Sequence, residues 1–494
     1  MKNEKKTILF VCTAFSLLLF GLGHRIIYQA DIYGRAAALT GEQLRNVLSN
    51  GDGRFLTVIL IYVLHRGSFP FFYYISLIIG IALVSLSTYG FSVLLLKEFR
   101  SVSGEECKTI SVVFISLISC ITIANMFSSE FFLYIDMTVA FTLGIFCSVE
   151  AAILFVESLH EEKPHIHWGI LVFLLIVSFL YETISSVFIA ITVPFILFYS
   201  KSFIELIRKQ FAAGIYYALP LLIKTVYTKF IVRSERAGFD KTSVVQSIQK
   251  YTPVGTSPKV FILDSITFGM WGYAIMSIVV IVLLLRFAIK NGRYIEIAKG
   301  IYLAAAIGVV GLVPYILRLT NDIRPRIYYP IGAFFGAMII YGIMIGGFDI
   351  NDVGWEKEKI LFPSIIVVFV CIQWFSFVQI YTESYVTNYE DKYISEMIGE
   401  CIDEYEKETG NNVEYVAFYN DAVKTKYSMD GWRLIRRVYS SWNELQALNM
   451  YLGRDYKKGE TDDAIARYFY SQDWDCFSDE QVIIRGDTAH VCEY

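Results

Sequence analysis

Long apolar runs separated by short polar segments fill roughly the first three quarters of the chain. A helix needs roughly 20 mainly apolar residues to cross the hydrocarbon core of a bilayer. The two runs that flank Tyr181 and Glu182 are predicted to form short helices that meet at these residues. In all, the pattern predicts eleven transmembrane helices, near residues 7–27, 70–96, 109–126, 131–156, 168–182, 183–200, 211–232, 263–286, 297–317, 327–346 and 359–381.

After about residue 382 the pattern changes to a polar, acidic tail. The stretch "NYEDKYISEMIGECIDEYEKETGN" has the apolar spacing of an amphipathic helix that ends at Gly410, and "VEYVAFYN" is typical of a strand. The pattern therefore predicts a mainly α, polytopic membrane domain over 1–384, followed by a small α/β extracytoplasmic domain over 385–494.

The composition agrees with a membrane protein. Of 494 residues, 55% are hydrophobic, and the mean hydropathy of +0.49 is far above that of soluble globular proteins. The formal net charge of −4 is small for this length, so it favours no polyanionic partner, and no nucleic-acid partner is expected.

The basic start "MKNEKK" before the first apolar run predicts an uncleaved first span with a cytoplasmic N-terminus. Eleven spans then place the C-terminus outside. On these boundaries lysine prevails in the cytoplasmic segments and arginine in the outer loops. Because arginine presents a rigid fork of donors that matches phosphate and carboxylate, the outer face is predicted to bind an anionic ligand.

The remaining chemistry-bearing residue types exclude several functions. The six histidines are scattered and the cysteines lack metal-ligand spacing, so no metal site and no cofactor are predicted. No Gly-rich phosphate loop is present, which argues against nucleotide-driven transport. Cys476 and Cys492 would form a disulfide only if the tail faces an oxidising compartment.

The stretch "YQADIYGRAAALTGEQLRNVLSNGDGRF", residues 28 to 55, concentrates charge just after the first span. Asp31 is costly at that depth unless hydrated or paired, and its plainest partner is Arg35, four residues on. Residues 39–49 have the spacing of an interfacial helix. Asp52 in "NGDGR" is suited to cap a helix that begins at Arg54.

A second group of arginines lies in the predicted outer loop before the tenth span. "YILRLTNDIRPRIYYP" contains Arg318, Arg324 and Arg326, which together would clamp a phosphate. The alternative is a ring of lipid-headgroup anchors with Tyr328 and Tyr329.

Further ionisable residues lie within or beside apolar runs. Lys224 falls inside the seventh span and is either part of a site or a side chain that snorkels outward. Glu182 either binds sugar hydroxyls or is hydrated at an outer turn. Asp136 and Glu130 are predicted to orient other groups, although Asp136 is also a potential partner for a loop arginine.

Three of these motifs, in this order and spacing, resemble the bacterial glucosyltransferase type II family, the serotype-converting membrane glucosyltransferases of the GT-C class. They are Asp31 with "YGR" and the later "DGRF"; "NMFSSEFFLYIDMT" (125–138); and "SFLYETISSVF" (178–188). The chain departs from the family pattern at Ala30, at Glu182, where glutamine is usual, and at Phe55, where proline is common.

The resemblance implies an inverting transfer of a hexose, glucose, from undecaprenyl phosphate to a surface polysaccharide such as O-antigen or to a lipid-linked glycan. A lipid phosphate is a stable leaving group, so one carboxylate suffices, as the base that deprotonates the acceptor hydroxyl. Positive charge must meet the departing phosphate. The implied partners are the lipid donor, the glycan acceptor, a flippase and a polyprenyl-phosphate glucosyl synthase.

In this interpretation Asp31 is the catalytic base. The other predicted site residues bind substrate: Arg35, Asp52, Arg54, Asp136, Glu182, Lys224, Arg318, Arg324 and Arg326. Two alternatives stay open, a flippase or transporter of lipid-linked sugars and a polysaccharide polymerase or ligase. A transporter would carry ionisable residues near the bilayer midplane on broken helices.

Overall fold

The computed structural model describes residues 2–21, 25–28, 53–64, 69–104, 108–161, 166–233, 265–316, 325–348, 361–420, 439, 443–472, 474 and 476–493. It is mainly helical, with a small sheet near the C-terminal end. The chain divides into two compact units: the membrane unit, Met1–His24 with Leu39–Gln379, and the tail unit, Arg25–Ala38 with Ile380–Tyr494.

Helices make up the described part of the membrane unit, and the last of them continues past Gln379 into the tail unit. In chain order they are α1 (Lys2–Ser16, continued by a π-helical turn Leu17–Gly21), α2 (Phe55–Leu64), α3 (Phe69–Ser103), α4 (Thr109–Ile123), α5 (Ser129–Leu133), α6 (Ile135–Ser158), α7 (Trp168–Tyr181), α8 (Ser186–Tyr199), α9 (Phe203–Val226, continued by a π-helical turn Tyr227–Val232), α10 (Ser265–Lys290), α11 (Tyr294–Ile316), α12 (Pro325–Gly332), α13 (Phe334–Met344) and α14 (Leu361–Thr409). Two 3₁₀ turns, Met126–Ser128 and Glu182–Ser185, precede α5 and α8.

The predicted count of eleven spans is not confirmed. Among the described residues six helices are long and apolar enough to cross a membrane, or seven if the bent pair Thr109–Ile123 and Met126–Leu133 is one span. Several predicted spans are shorter helices, such as α13 with 11 residues, and fall below the length that a full crossing requires. The six are Pro70–Ser103, Ile135–Ser158, Trp168–Tyr199, Phe203–Val232, Gly272–Lys290 and Leu361–Thr409.

The stretch Trp168–Tyr199 is continuous in sequence but changes direction at its 3₁₀ turn. Its first arm, α7, lies antiparallel to α6, because Gly169 packs against Leu154 and Tyr181 packs against Phe141, with ring centroids 4.7 Å apart. The arm has 14 residues and is therefore about 21 Å long.

The second arm, α8, returns in the direction of α6. The Ser148 hydroxyl donates to the carbonyl of Ile184 at 3.1 Å, and farther along α6 the ring of Phe155 lies 5.5 Å from that of Phe188. The two arms run in opposite directions along α6 and form a helical hairpin with its tip at Glu182–Ser185. The short helices that the sequence predicts to meet at Tyr181 and Glu182 are therefore present.

The hairpin distinguishes two ends of the membrane unit. The end that holds its turn is called the tip end, and the opposite end, the foot end. At the foot end Arg100 of α3 pairs with Glu4 of α1, and Lys97 of α3 pairs with Glu157 of α6 at 3.0 Å. Helices α1, α3 and α6 are thereby tied together by ion pairs far from the turn.

The tail unit contains the small sheet. Its elements are β1 (Tyr415–Asn420), α15 (Glu444–Leu452), β2 (Lys457–Lys458), α16 (Asp463–Tyr470), β3 (Val482–Arg485) and β4 (Thr488–Glu493). The strand order is β2-β1-β4-β3, with β1 parallel to both β2 and β4 and with β3 antiparallel to β4. The α/β character predicted for the tail is confirmed.

Side chains alternate across β1, as expected for a strand covered on both faces. Val416 packs with Ile398 of α14 and Leu448 of α15, whereas Tyr419 packs with Phe469 of α16 on the opposite face. The predicted helix end at Gly410 is confirmed, since this glycine follows α14 with a φ of 72°.

The two cysteines that were candidates for a disulfide remain free thiols. Cys476 is exposed, whereas Cys492 is buried on β4. The disulfide considered from the sequence is therefore absent from the structure.

Candidate functional site

Two cations from different helices meet one carboxylate at the tip of the hairpin. Arg54 Nη2 donates to Glu182 Oε1 at 3.1 Å and Arg54 Nε to Oε2 at 3.3 Å, while Lys224 Nζ donates to Oε2. Glu182 and Lys224 are only 3% and 2% exposed. Arg54, Glu182 and Lys224 are called the tip cluster.

Local backbone structure positions each member. Gly53, with a φ of 71°, turns the chain so that Arg54 immediately precedes α2. Tyr181 adopts an extended backbone, with φ −156° and ψ 99°, which ends α7 and starts the 3₁₀ turn. Ser185 Oγ then donates to the Glu182 carbonyl at 2.5 Å, which holds that turn closed.

Aromatic rings surround the cluster. The Arg54 guanidinium lies 4.3 Å from the ring centroid of Tyr181, a cation–π contact. The rings of Phe55, Phe179 and Tyr227 contact one another, with centroid distances of 4.7 Å, 5.7 Å and 5.3 Å. The charged groups thus lie beside an apolar wall rather than in open solvent.

The segment between α4 and α6 forms a second polar region at the tip end. Asn125 accepts a bond from the Phe127 amide and donates to the Tyr329 carbonyl, both at 3.1 Å. Gln373 accepts from the Met126 amide at 2.5 Å. These bonds fasten the 3₁₀ turn Met126–Ser128 to α12 and α14.

Close approach of backbones explains Gly332. A Cβ there would lie 2.4 Å from the side chain of Asn125, so only glycine lets α12 approach this closely. Helix α12 also contacts the 3₁₀ turn that carries Glu182. One short helix therefore packs against both of the polar turns at the tip end.

Two more acids are buried near these turns. Glu130 lies in α5 and is 1% exposed, and Asp136 lies in the first turn of α6 and is 6% exposed. Burial of a carboxylate is costly unless it is paired or hydrogen-bonded. Their role of orienting other groups stays a prediction.

The structure brings together three of the predicted site residues, Arg54, Glu182 and Lys224. Arg326 lies in the first turn of α12, and its side chain is outside the description. Asp31, Arg35, Asp52, Arg318 and Arg324 lie outside the described residues, as does the predicted interfacial helix over 39–49.

The geometry decides between two pairs of alternatives that the sequence left open and shifts one helix boundary. Lys224 does not snorkel outward, because its ammonium group is buried on Glu182. Glu182 is not a hydrated surface carboxylate, because both of its oxygens accept from cations. The helix predicted to begin at Arg54 begins at Phe55, one residue later.

Sequence reasoning missed Gln373 as a positioning residue. A glutamine within the apolar "VCIQWFSF" was the available signal, since an amide inside a span needs a hydrogen-bond partner. Among the described residues no group of three or more histidines, cysteines or acids is arranged to hold a metal ion.

Comparisons with protein-family models, curated proteins and solved structures find no match for this chain.

Proposed function

We propose that the protein is a membrane glycosyltransferase that moves a hexose, glucose, from a polyprenyl phosphate to a surface polysaccharide or lipid-linked glycan on the outer face of the membrane. The observation that carries the proposal is the tip cluster, in which Arg54 and Lys224 converge on the buried carboxylate of Glu182.

The cluster has the donor set that a phosphate requires. A guanidinium binds a carboxylate or a phosphate through two parallel N–H donors, and Arg54 makes such a pair of bonds to Glu182. Lys224 adds a point charge within the same low-dielectric surroundings, where electrostatic attraction is strong. A phosphate oxygen pair that approaches Arg54 meets the same fork as the carboxylate does.

The surroundings of the cluster favour a lipid as the carrier of that phosphate. Helix α9, which bears Lys224, exposes large apolar side chains along its length: Phe203, Ile204, Ile207, Phe211, Ile215, Leu219 and Leu222. The ring wall of Phe55, Phe179 and Tyr227 lies next to the charged groups. A phosphate with a long apolar chain would find both kinds of surface there.

The proposed reaction needs one base and positive charge on the leaving group. Asp31 takes the proton from the acceptor hydroxyl as that oxygen attacks the anomeric carbon, and the bond from that carbon to the phosphate oxygen breaks. The departing phosphate gains negative charge, which Arg54 and Lys224, with Arg35, Arg318, Arg324 and Arg326, would stabilise. Asp52 and Asp136 would orient the sugar and the loop.

Charge at the foot end supports the proposed orientation. The positive-inside rule assigns lysine- and arginine-rich ends to the cytoplasm. Described basic residues at the foot end include Lys5, Lys6, Lys97, Arg100, Lys108, Lys201, Arg208 and Lys209. With this end in the cytoplasm, the hairpin turn and the tip cluster face outward.

The second candidate function is transport of a lipid-linked sugar. It is favoured by one observation: the cluster lies where a helical stretch breaks, about 9 Å along α6 from its first residue, which is where Tyr181 meets Phe141. Transporters place charged groups at such breaks. In that case the same cations would guide a headgroup and Asp31 would do no chemistry.

One assay tests both functions. The purified protein, given undecaprenyl phosphate-glucose and an acceptor glycan, is expected to release undecaprenyl phosphate. Asp31→Asn is expected to abolish that release while lipid binding persists, and Glu98→Gln at the foot end is the matched acid-to-amide control. Normal turnover in Asp31→Asn would refute the assignment of the base. Lipid movement across vesicles without release would identify the transporter.

A further inference from the structure

Hydroxyl side chains in the membrane unit generally bond to a main-chain carbonyl. Thr88, Thr122 and Thr142 donate to the carbonyls of Val84, Ile118 and Thr138 at 3.0, 2.6 and 2.8 Å. Helical threonines do this readily through the carbonyl four residues earlier. These hydrogen bonds avoid the free-energy cost of an unpaired polar group in an apolar interior.

Thr183 and Thr228, which lie beside the tip cluster, form no such hydrogen bond within the described part of the chain. They are 2% and 3% exposed, and within the described part of the chain neither hydroxyl has a hydrogen-bond partner. Thr183 follows Glu182 in the 3₁₀ turn. Thr228 lies four residues after Lys224 and packs against Gly53, where a Cβ would lie 2.3 Å from its Oγ1.

Neighbouring side chains show that these positions do not prevent pairing. Thr225, one residue past Lys224, donates to the Leu221 carbonyl at 2.7 Å. Ser185 and Ser186, on the same turn as Thr183 or next to it, are both bonded. Ser16, Ser76 and Ser277 share the unpaired state, but they lie on helices that carry no member of the tip cluster.

We propose that the hydroxyls of Thr183 and Thr228 donate to the phosphate oxygens of a ligand bound at the tip cluster. The inference rests on the proposed function and adds two specificity-determining residues to its phosphate site. Phosphate oxygens accept several hydrogen bonds each, so a phosphate held by Arg54 and Lys224, which also pair with Glu182, can accept from further donors. Thr183 and Thr228 supply two such donors, since their buried hydroxyls pair with no group in the described part of the chain.

The test uses valine, which keeps the shape of threonine and removes the hydroxyl. Thr183→Val and Thr228→Val are each expected to raise the dissociation constant for undecaprenyl phosphate about tenfold, the effect of one hydrogen bond to a charged group. The thermal midpoint of the ligand-free protein is expected to stay the same or rise, because no hydrogen bond is lost. A hydroxyl with a structural role would lower it.

Matched controls lie on the same two segments. Thr192→Val on α8 removes a buried hydroxyl bonded to the Ile189 carbonyl, and Thr225→Val removes the bonded hydroxyl next to Lys224. Both controls are expected to bind undecaprenyl phosphate as the wild type does. Thr183→Ser and Thr228→Ser retain the donor and are expected to bind normally, which guards against a general effect of substitution.

Three ligands separate the sources of the phosphate. Undecaprenyl phosphate, inorganic phosphate and undecaprenol are titrated against each variant, and only the two phosphates are expected to lose affinity in the valine variants. Valine variants that bind both phosphates normally would overturn this proposal and leave the proposed function standing. If the valine variants bind the phosphates more weakly but the wild type shows no turnover, the phosphate site is supported and the glycosyltransferase function is refuted. A wild type that binds neither phosphate would overturn both.

Discussion

The membrane unit buries a carboxylate near each end of its hairpin, Glu182 at the tip and Glu98 beside the foot. Glu98, on α3, is 1% exposed; its oxygens lie 3.1 Å from Nε2 of His160 and also accept a bond from the Tyr199 hydroxyl. Glu182 instead faces two cations, Arg54 and Lys224.

The difference in partners indicates that Glu98 has a structural role, called the brace, whereas Glu182 belongs to a site that can bind an anion. An imidazole and a phenol satisfy Glu98 by hydrogen bonds that tie α3, the end of α6 and the end of α8 together. Guanidinium and ammonium groups carry permanent charge and more donors than one carboxylate uses. We therefore expect changes at the foot to affect stability alone, and changes at the tip to affect stability and ligand binding together.

The largest effect is expected from breaking the buried pair at the tip. Lys224→Met removes one partner of Glu182 and is expected to lower the free energy of unfolding by about 3–5 kcal/mol, because it leaves a buried carboxylate with less compensation. Unfolding in mixed micelles, followed by circular dichroism, measures this change.

A double-mutant cycle is the control for that prediction. Glu182→Gln combined with Lys224→Met removes both charges, and the pair is expected to cost clearly less than the sum of the single changes. If the two costs simply add, the buried contact contributes no coupling energy and the tip would resemble the foot.

The next effect concerns the foot. Glu98→Gln replaces the carboxylate by an amide of the same shape and is expected to cost about 1–3 kcal/mol of stability, since one partner of a buried hydrogen-bonded set is lost. Turnover per folded molecule is expected to match the wild type, because α8 separates the foot from the tip by about 20 Å.

The comparison of Glu98→Gln with Glu182→Gln is the decisive measurement. Under the proposed function Glu182→Gln changes the affinity for undecaprenyl phosphate, whereas Glu98→Gln leaves it unaltered. If fully folded Glu98→Gln loses affinity for undecaprenyl phosphate, the foot is coupled to the ligand site. That result would contradict the proposed difference between the foot and the tip.

The sequence predicted the position of the hairpin turn but not the partners of its acid. The apolar runs on both sides of Tyr181 and Glu182 were predicted to be two short spans that meet at these residues, and this break is visible in one dimension. The pairing of Glu182 with Arg54, 128 residues away, depends on the packing of α2 against α7, which no local pattern encodes.

The same limit explains the foot and the span count. From the sequence, His160 is expected to lie in a polar loop. Only the return of α8 along α6 brings Tyr199 and His160 to the carboxylate of Glu98. Run length likewise predicted eleven spans, because it cannot distinguish a crossing helix from the short helices of a folded-back or bent segment. In the tail, Gly410 and the stretch "VEYVAFYN" are local signals, and the predicted helix end and strand are both confirmed.

A smaller effect is expected from Tyr199→Phe. Loss of the hydroxyl leaves Glu98 with His160 and is expected to cost about 1 kcal/mol of stability. Tyr217→Phe, which removes the 2.9 Å bond to Ser186 nearer the tip, is the matched change. Thermal midpoints of both variants in the same detergent compare them, and a cost above that of Glu98→Gln would contradict the brace.

The smallest effect lies in the tail unit, and it must be known before acid effects on the two carboxylates can be compared. Burial lowers the pKa of His490, and its Nδ1 lies 2.8 Å from the Tyr419 hydroxyl; nearby Asp462 opposes the shift and Arg485 adds to it. Unfolded histidine has a pKa near 6.5, so the unfolded tail binds more protons as pH falls below that value. The amides of Ile465 and Ala464 lower the pKa of Asp462, which therefore stays ionised above about pH 5.

Protection of β1 and β4 amides against hydrogen exchange in the full chain, corrected for intrinsic rates, is thus expected to decrease modestly between pH 7.5 and 5.5. His490→Asn, which retains an acceptor for Tyr419 but cannot titrate, is expected to remove the decrease; an equal decrease in that variant would assign it to groups outside the tail's sheet.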